Sequence, residues 1–444
     1  MVDISPSLVV ILMFGAVFVT VLLGYPLFLC LGGVAMVVGF LVMGPPVFHL
    51  LHLRVLGLIS NYILLAVPLF VFMGSMIEKS GAADRLYGGL YLLFGGVRGG
   101  LAIVTVLMGT ILAACVGVIA ASVTMMGLVA LPSMLSRGYQ KELACGSVCA
   151  GGTLGILIPP SVMLVVYGPM AEISVGKLFM GAFVPGFVLS GLYIVYIAIR
   201  CWLQPELAPP VPVAERAASL LTKVSAAAVG AVPPAFIVLS VLGTIFAGIA
   251  TPTEAAAIGC VAAIILAAAH RQFNLRALRE VALGTLRFTA MAMIIGSSAM
   301  MFTGVFLRLG GGEAVSSYLL AAPGGKWGVF AIIMFIIFIL GMFIDWLGIL
   351  FVMVPLVTPI GGTLGFDPVW FAMMVCVNLQ MSFMTPPFAY AIFFLRGLVK
   401  PEWGIETNHI IRGVIPFVVM IMTGLGLCLA FPQLILWLPS MMIR

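Results

Sequence analysis

The sequence has 444 residues, of which 63% are hydrophobic and only 8% are charged. A soluble globular protein averages about 45–50% apolar and about 25% charged residues, so this composition excludes a soluble fold. A helix needs roughly 20 apolar residues to span a membrane, and the length therefore allows on the order of ten to twelve spans. Barrel strands alternate in polarity, whereas these segments are apolar on all sides. The composition predicts an all-α polytopic membrane protein and gives no reason to expect nucleic acid as a partner.

Apolar segments follow one another along the chain, separated by glycine, proline or charged residues. They lie at about 7–23, 27–43, 62–77, 88–97, 101–134, 142–170, 178–202, 224–249, 253–270, 281–307, 327–363, 366–398 and 411–438. The first is expected to be a retained span, because no basic region precedes it. The polar, proline-rich stretch 203–222 cannot be buried in lipid, and it separates a first half, 1–202, from a second, 223–444.

The basic residues predict the orientation of the spans. If 203–222 is a cytoplasmic linker, following the spans in both directions places five basic residues outside: Arg54, Lys177, Arg308, Lys326 and Arg444. The other fifteen of the 20 Lys and Arg residues then lie inside. This excess agrees with the positive-inside rule. It also places both chain termini outside.

Two apolar segments return to the side from which they start. Segments 101–134 and 327–363 are shorter than the roughly 40 residues that two crossings and a turn require. Both are therefore predicted to be re-entrant helical hairpins, one entering from the inside and the other from the outside. Opposed hairpins of this kind are typical of an inverted repeat.

The repeat is also visible in the residues themselves. Pro132 is followed by Pro159 and Pro160, and Pro359 is followed at the same spacing by Pro386 and Pro387. We call the separation between Pro132 and Pro359 the repeat offset; it also pairs Gly138 with Gly365. Each proline pair lies inside an apolar segment, 142–170 or 366–398, where it removes backbone donors and interrupts the helix. We therefore expect two discontinuous helices, each with unpaired carbonyl groups; a simple proline kink is the alternative.

Unpaired carbonyl oxygens at membrane depth are tolerated only where they line a cavity or bind something. Oxygen ligands suit a hard monovalent cation such as Na⁺, and the helix N-termini at the same interruptions favour an anionic substrate. The sequence thus predicts a cation-coupled carboxylate symporter. Na⁺ is its expected coupling ion, with two or more bound.

Ionisable and polar residues within the apolar segments are candidates for function. Asp345 lies near the predicted tip of the second hairpin, where it either binds the cation or substrate or caps a helix. Arg308 either holds a carboxylate or extends to the membrane interface. Ser122 and Thr124 lie near the first hairpin turn, as cation ligands or as hydroxyls bonded within their own helix. Glu254 is expected in a first helical turn capped by Thr251.

With these segments in view, the sequence resembles the large membrane subunit of the tripartite ATP-independent periplasmic (TRAP) transporters. The similarity lies in VPLFVFMGSMIEKSG (67–81), GGTLGILIPPS (151–161), GKLFMGAFVPG (176–186), ATPTEAAAIG (250–259), GMFIDW (341–346) and VNLQMSFMTPPFAYAIFFLRG (377–397). It covers essentially the whole chain. TPPFAYAIFFLRG and SVTMMG look most like the branch labelled for mannitol or chloroaromatic compounds, a label that fixes no substrate.

The resemblance implies a Na⁺-driven importer of the bacterial inner membrane with an elevator mechanism. The hairpins and discontinuous helices would form a mobile domain that slides against a scaffold. A separate small four-helix membrane subunit would join the scaffold, and a periplasmic binding protein would deliver an organic acid. The alternative is a self-sufficient sodium/carboxylate symporter. An ATP-driven pump is disfavoured because the sequence has no G-x-x-x-x-G-K-[ST] loop, and no catalytic residues are expected.

The resemblance also implies sites where each hairpin tip meets the discontinuous helix of its own half. The expected Na⁺ ligands are Ser122, Gly155, Ile158 and Pro159 at the first site and Asp345, Met381 and Thr385 at the second, mostly through backbone oxygens. Arg308, Asp345 and Ser122 are the candidates for substrate contact. Many members of the family carry SGSS at the first tip, where this chain has Val116, Gly117, Val118 and Ile119, so hydroxyl ligands are missing there.

Overall fold

The computed structural model describes residues 4–212 and 219–442, with the backbone alone at 113–116. Within these residues all regular secondary structure is helical. The α-helices, numbered in chain order, are α1 (Pro6–Leu22), α2 (Leu27–Met43), α3 (Pro46–Ile59), α4 (Ala66–Lys79), α5 (Ala82–Phe94), α6 (Gly100–Val116), α7 (Ile119–Leu135), α8 (Lys141–Thr153), α9 (Val162–Ala171), α10 (Val175–Leu203), α11 (Leu220–Phe246), α12 (Pro252–Ala269), α13 (Leu275–Arg308), α14 (Gly311–Leu320), α15 (Gly325–Gly341), α16 (Trp346–Thr363), α17 (Pro368–Ser382), α18 (Tyr390–Leu398), α19 (Thr407–Ala430) and α20 (Gln433–Ser440).

Seven helical segments in the described ranges are long and apolar enough to cross a membrane. They are Tyr62–Lys79, Val175–Leu203, Leu220–Phe246, Pro252–Ala269, Leu275–Arg308, Trp346–Thr363 and Thr407–Ala430. Shorter apolar helices, including α1, α2, α6 and α15, lie between them. The prediction of an all-helical, multi-pass membrane protein is confirmed.

Two helices, α3 and α14, lie where the sequence predicts connections. His49, His52 and Arg54 interrupt the apolar residues of α3, which therefore does not read as a span. The other helix, α14, has only ten residues and begins with two glycines and Glu313. Both are stabilised by packing rather than by a continuous apolar sequence, since α3 contacts α13 and α14 contacts α1.

The helices outside the two hairpins pack in pairs that join the halves of the chain. α2 packs on α13, α4 on α12, and α5 on α11. The last pair is very close, because a Cβ atom built at Gly89 of α5 would lie 2.6 Å from the Cα of Ala227 in α11. Each pair takes one helix from either half, so the two halves are interleaved.

Both predicted hairpins are present as helix–turn–helix units. α6 and α7 are joined at Gly117 and Val118, and Gly117 has φ +64°, a left-handed conformation that favours glycine. α15 and α16 are joined by residues 342–345, and Asp345 precedes the first residue of α16. The turn positions therefore agree with those expected from the sequence.

The two paired-proline segments are interrupted where the prolines predict. A short 3₁₀ turn at 154–156 follows α8, and residues 157–161 are non-helical before α9 begins. Residues 383–389 are likewise non-helical between α17 and α18. The Pro159–Pro160 and Pro386–Pro387 peptide bonds are both cis. We call 157–161 the first break and 383–389 the second break.

Helix boundaries in the two halves recur at the repeat offset seen in the sequence. The starts of α7 and α16, at Ile119 and Trp346, are separated by this offset, and so are the starts of α8 and α17. The same separation relates the ends of α9 and α18, at Ala171 and Leu398. Gly138 and Gly365 both have φ +74°. The correspondence therefore extends from a few prolines to the bounds of whole helices.

The first part of the stretch 203–222 lies against the protein. Gln140 donates its backbone N–H to the carbonyl of Leu207 at 2.8 Å, and Gly99 donates to the carbonyl of Ala208 at 3.2 Å. Ala208 is fully buried. The stretch thus begins as a docked segment that links the end of α10 to the entrances of the first hairpin and of α8. Residues 213–218 of the predicted linker lie outside the described residues.

Candidate functional site

The tip of the first hairpin lies against the first break. A Cβ atom built at Gly117 would lie 3.4 Å from the carbonyl oxygen of Pro160 and 3.3 Å from a methyl carbon of Val162. A larger side chain at the turn would press on the break as well as strain the backbone. The structure thus brings together the two elements that the sequence predicted to form the first site.

The two helices of the first hairpin approach α8 closely at glycine residues. A Cβ atom built at Gly109 of α6 would lie 2.7 Å from the carbonyl oxygen of Gly151, and one built at Gly152 would lie 3.0 Å from the Cα of Val123 in α7. Backbones can approach this closely only where side chains are absent. The Gly151–Gly152 pair is thus enclosed between α6 and α7, immediately before the first break.

Four consecutive carbonyl groups in the first break lack hydrogen-bond donors. They belong to Leu157, Ile158, Pro159 and Pro160, and none accepts a hydrogen bond from the residues that the structure describes. All four residues are buried. Buried backbone carbonyls are normally paired, so this cluster can accept hydrogen bonds from bound molecules or coordinate a cation.

Ser122 adds a side-chain oxygen in the same region. Its hydroxyl is buried and has no hydrogen-bond partner among the described residues. α7, which carries Ser122, packs on the turn at 154–156 that contains Gly155. By contrast, the Ser161 hydroxyl donates to the carbonyl of Ile156 and is already used. Unpaired hydroxyl and carbonyl oxygens together are the ligands that a hard cation prefers.

The second hairpin meets the second break in a corresponding way. The backbone N–H of Phe388 donates to the carbonyl of Met342, in the hairpin turn, at 3.2 Å. A Cβ atom built at Gly341 would lie 2.7 Å from the hydroxyl oxygen of Ser382, at the end of α17. Tip and break therefore touch in both halves of the chain.

The predicted ligands of the second site differ in whether their oxygen atoms already take part in hydrogen bonds. The carbonyl of Met381 accepts the Thr385 hydroxyl at 2.9 Å and the Met384 N–H at 3.2 Å. The carbonyls of Thr385, Pro386 and Pro387 accept no hydrogen bond within the described part of the chain. The free oxygens of this site therefore come mainly from the break itself.

Asp345 caps α16. Its carboxylate accepts a hydrogen bond from the Leu347 N–H at 3.3 Å, which is the capping role that the sequence offered as the alternative. Over the described residues no Lys, Arg or His forms an ion pair with it. Tyr390, at the start of α18, lies within electrostatic range of the carboxylate. The cap thus places an uncompensated negative charge at the second hairpin tip.

The two breaks differ in exposure. Every residue of the first break is buried, whereas Pro386, Pro387 and Phe388 of the second are exposed. Phe388 has 52% of its surface accessible, and Ser161, which the repeat offset makes its counterpart in the first half, has none. Equivalent positions of the two halves are therefore in different environments in this conformation.

The remaining sequence candidates lie elsewhere. Arg308 is exposed at the end of α13, a position that suits a residue extending to the membrane interface. Thr251 and Glu254 form a capping box at the start of α12, as predicted, with the Thr251 N–H donating to Glu254 at 2.8 Å. Thr124 is partly buried on α7. Arg308 is therefore the weakest of the candidates for substrate contact.

The sequence reasoning missed a buried polar contact between α8 and α17. The Gln380 amide donates to the Thr153 hydroxyl at 3.4 Å and to the Tyr193 hydroxyl of α10 at 3.3 Å. All three residues are fully buried, and the amide oxygen of Gln380 has no partner among the described residues. Thr153 and Gln380 are separated by the repeat offset, which could have revealed this pair as equivalent positions in the two halves.

Comparison with known proteins identifies the family. Residues 14–434 match the model of the tripartite ATP-independent periplasmic transporter, DctM component. The chain belongs to this family. A TRAP family relative, the C4-dicarboxylate TRAP transporter large permease protein of Pseudomonas aeruginosa, is 32% identical over 384 residues, which cover 86% of this chain and 87% of that protein. The resemblance to the large TRAP membrane subunit is thus confirmed, whereas the branch labelled for mannitol or chloroaromatic compounds stays a prediction.

Two further comparisons concern the length of the relatives and the fold. The isethionate TRAP transporter permease protein DctMQ of Oleidesulfovibrio alaskensis is 28% identical over 368 residues, which cover 83% of this chain but 56% of that protein. The solved structure of the Alcanivorax borkumensis YdaH transporter superposes with a TM-score of 0.63 at 15% identity and covers 96% of this chain and 99% of that one. At this identity the YdaH structure supports the fold alone.

Proposed function

We propose that the chain is the large membrane subunit of a TRAP transporter that couples Na⁺ entry to the import of an organic acid. Family membership supports the transporter class, and the buried, unpaired oxygens at the first break support the cation. The single observation that carries the Na⁺ proposal is the run of four free carbonyls in Leu157–Pro160; the unpartnered Ser122 hydroxyl, on a helix that packs on the preceding turn, supports it. A site built from neutral oxygens matches a hard monovalent ion.

The proposed second Na⁺ site also uses carbonyls of a break, but that break is partly exposed and a carboxylate is added. It has free carbonyls at Thr385, Pro386 and Pro387, and it has the Asp345 carboxylate at the hairpin tip. Cation binding there would compensate a charge that otherwise lacks a partner. We assign Asp345 to the cation rather than to the substrate, since an acid repels an organic anion.

An inverted repeat with two re-entrant hairpins belongs to the same proposal. Its support is the recurrence of helix bounds at the repeat offset and the matching contact of tip with break in each half. Each discontinuous helix also packs on the hairpin of the other half: α9 packs on α16, and α18 packs on α7. This packing between the halves joins the hairpins and discontinuous helices into one unit, which we propose to be the mobile domain of an elevator.

Where that unit faces α1, α2 and α13, its contact with the neighbouring helices is suited to sliding. A small cavity of about 40 Å³ separates the second hairpin from α1, α2 and α13, and its lining is almost entirely apolar. Apolar surfaces can shift without breaking hydrogen bonds. One hydrogen bond crosses nearby, from the Thr303 hydroxyl of α13 to the carbonyl of Phe351 in α16 at 3.3 Å.

The partners follow from the family. A tripartite system implies a small membrane subunit and a periplasmic binding protein, and this chain spans only 56% of the longer isethionate permease. That relative has room for a further segment, which we propose to correspond to the separate four-helix subunit of this system. The inner membrane of a bacterium is the proposed location. Relatives named for a C4-dicarboxylate and for isethionate support small organic anions as the substrate class that we propose.

Uptake into proteoliposomes tests the proposal. The chain is reconstituted with its small subunit, the binding protein is added outside, and labelled substrate is followed in Na⁺, K⁺ or choline buffer. We expect uptake only with all three proteins and an inward Na⁺ gradient. Uptake that persists without the binding protein and small subunit would indicate the self-sufficient symporter instead. Indifference to replacing Na⁺ by K⁺ would refute sodium coupling.

A further inference from the structure

A polar cavity lies at the end of the molecule where α10 ends and α19 begins. It has a volume of about 230 Å³, and its lining includes Gln140, Glu142, Tyr196, Arg200 and Arg412. These residues come from three parts of the chain: the start of α8, the last turns of α10 and the first turns of α19. We call it the arginine cavity. It is separate from both hairpin tips.

The two arginines of this cavity lack counter-ions. In the part of the chain that the structure describes, neither Arg200 nor Arg412 forms an ion pair. Glu142 also lines the cavity, so two positive charges face one negative charge and the lining retains one net positive charge. Guanidinium groups bind phosphate oxygens through paired hydrogen bonds. The cavity therefore suits a ligand with one net negative charge.

The cavity also contains acceptors that need donors. The side-chain oxygen of Gln140 is buried and has no hydrogen-bond partner among the described residues. A phosphate diester has no hydrogen to offer it, whereas hydroxyl groups beside the phosphate would supply donors to Gln140 and to the Glu142 carboxylate. The chemistry of the lining thus fits a phosphate joined to a polyol better than a bare phosphate.

An apolar groove lies next to the arginine cavity. It has a volume of about 390 Å³, lies along α10 beside α19, and includes Val195, Ile199 and Met420. Tyr196 and Arg200 line both the groove and the cavity, so the two spaces are adjacent. The Tyr196 ring is held by an edge contact with Phe417 of α19, with ring centroids 5.1 Å apart. A polar, cationic cavity beside an apolar groove is complementary to an amphiphile.

The depth of the site agrees with this conclusion. Trp202, two residues beyond Arg200, has 73% of its surface exposed, and tryptophan is enriched at the level of lipid headgroups. Arg137 in the α7–α8 connection and Lys141 at the start of α8 lie on either side of Gln140 in the sequence, at the end of the molecule that the charge distribution assigns to the cytoplasm. Basic pockets between transmembrane helices on this side are suited to anionic headgroups.

We propose that the arginine cavity and its groove bind one anionic phospholipid of the phosphatidylglycerol type. Arg200 and Arg412 hold the phosphate, Gln140 and Glu142 accept the glycerol hydroxyls, and an acyl chain lies along α10 against α19. The bound lipid would contact the start of α8, the end of α10 and the start of α19.

Lipid retention tests the site directly. The full-length chain is reconstituted in vesicles of equimolar phosphatidylglycerol, phosphatidylethanolamine and phosphatidylcholine, extracted in mild detergent, and examined by native mass spectrometry. We expect one retained phosphatidylglycerol in the wild type. Arg200→Gln and Arg412→Gln should each lower its retention roughly tenfold, because each removes a charge-assisted contact. Arg279→Gln, which removes an exposed arginine on α13, is the matched control.

Three results would overturn the proposal. Equal retention of phosphatidylethanolamine would show that net charge does not select the ligand. Retention unchanged in both arginine variants would place the lipid elsewhere. Thermal stabilisation by inorganic phosphate equal to that by phosphatidylglycerol would indicate a soluble-anion site. Arg200→Lys, which keeps the charge, should retain more lipid than Arg200→Gln and separates loss of binding from loss of folding.

Discussion

Asp345 has two roles that one substitution can separate. Its side chain caps α16, and its charge at the second hairpin tip has no ion-pair partner in the described ranges. Asparagine caps a helix about as well as aspartate but carries no charge. Asp367 offers a matched position, because it caps α17 through the N–H groups of Val369 and Trp370, at the end of that helix opposite the break.

We expect Asp345→Asn to reduce Na⁺-driven uptake roughly tenfold or more, since a charged cation ligand is lost. Its melting temperature should stay close to that of the wild type, because the cap is preserved. Asp367→Asn should change neither property. Initial uptake rates measured against Na⁺ concentration, with melting curves of the purified proteins, check both. An unchanged Na⁺ dependence in Asp345→Asn would exclude the carboxylate from the site.

Ser122 tests the first site through the loss of an unpaired polar group, whereas Asp345 tests the second through the loss of a charge. Its hydroxyl is buried without a partner among the described residues, so Ser122→Ala should not destabilise the Na⁺-free protein and removes a desolvation cost of about 1–3 kcal/mol. The stabilisation that Na⁺ produces should fall, because a ligand oxygen is lost. Ser147→Ala is the control: its buried hydroxyl already donates to the carbonyl of Ala144 at 3.0 Å. Melting temperatures measured with and without Na⁺ test this prediction. If Na⁺ raises the melting temperature of Ser122→Ala as much as that of the wild type, the assignment is wrong.

At the scale of elements, the first site depends on how closely α6 can approach α8. We expect Gly109→Ala to destabilise the protein by about 1–3 kcal/mol, because the new methyl group would meet backbone atoms of Gly151 that cannot move aside. Gly191→Ala in α10 adds the same methyl group where no atom lies within 4 Å, and it should be neutral or stabilise by roughly 0.5–1 kcal/mol. Thermal unfolding in detergent measures both; equal midpoints would argue against a tight contact.

The elements best predicted from the sequence are those whose backbone conformation is restricted by a glycine or proline at that position. The hairpin turns and the breaks agree with expectation because glycine and proline restrict the backbone where they stand. α3 was missed because its charged and histidine residues hide an apolar face, and α14 because ten residues carry little periodicity. The contact of Gln380 with Thr153 was beyond the sequence, since it depends on how α8 and α17 cross.

The candidate site was predictable in outline only. Paired prolines locate the free carbonyls, because a missing N–H is a property of the residue itself. Which oxygens stay free is decided by packing: the Thr385 hydroxyl is satisfied by the Met381 carbonyl, whereas the Ser122 hydroxyl finds no partner in the described ranges. The cap at Asp345 likewise depends on where α16 begins.

At the scale of the whole molecule, the two halves have matching elements in unequal environments. Ser161 and Phe388 occupy equivalent positions after the proline pairs, but the first is buried and the second is half exposed. In an inverted repeat, each half can adopt the conformation of the other half. This swap changes the side of the membrane from which the site is accessible. The observed asymmetry is therefore what one end state of such an exchange would show.

Cysteine labelling tests this exchange. Phe388→Cys should react rapidly with a water-soluble thiol reagent in Na⁺-free proteoliposomes, whereas Ser161→Cys should react slowly, because it is enclosed by the first hairpin tip. The unsubstituted chain provides the blank, since the native cysteines in the described residues are all buried. With Na⁺, substrate, binding protein and small subunit present, turnover should raise the reactivity of Ser161→Cys and lower that of Phe388→Cys. If Ser161→Cys stays protected during measured uptake, the asymmetry is fixed and the elevator proposal fails, even where sodium coupling holds.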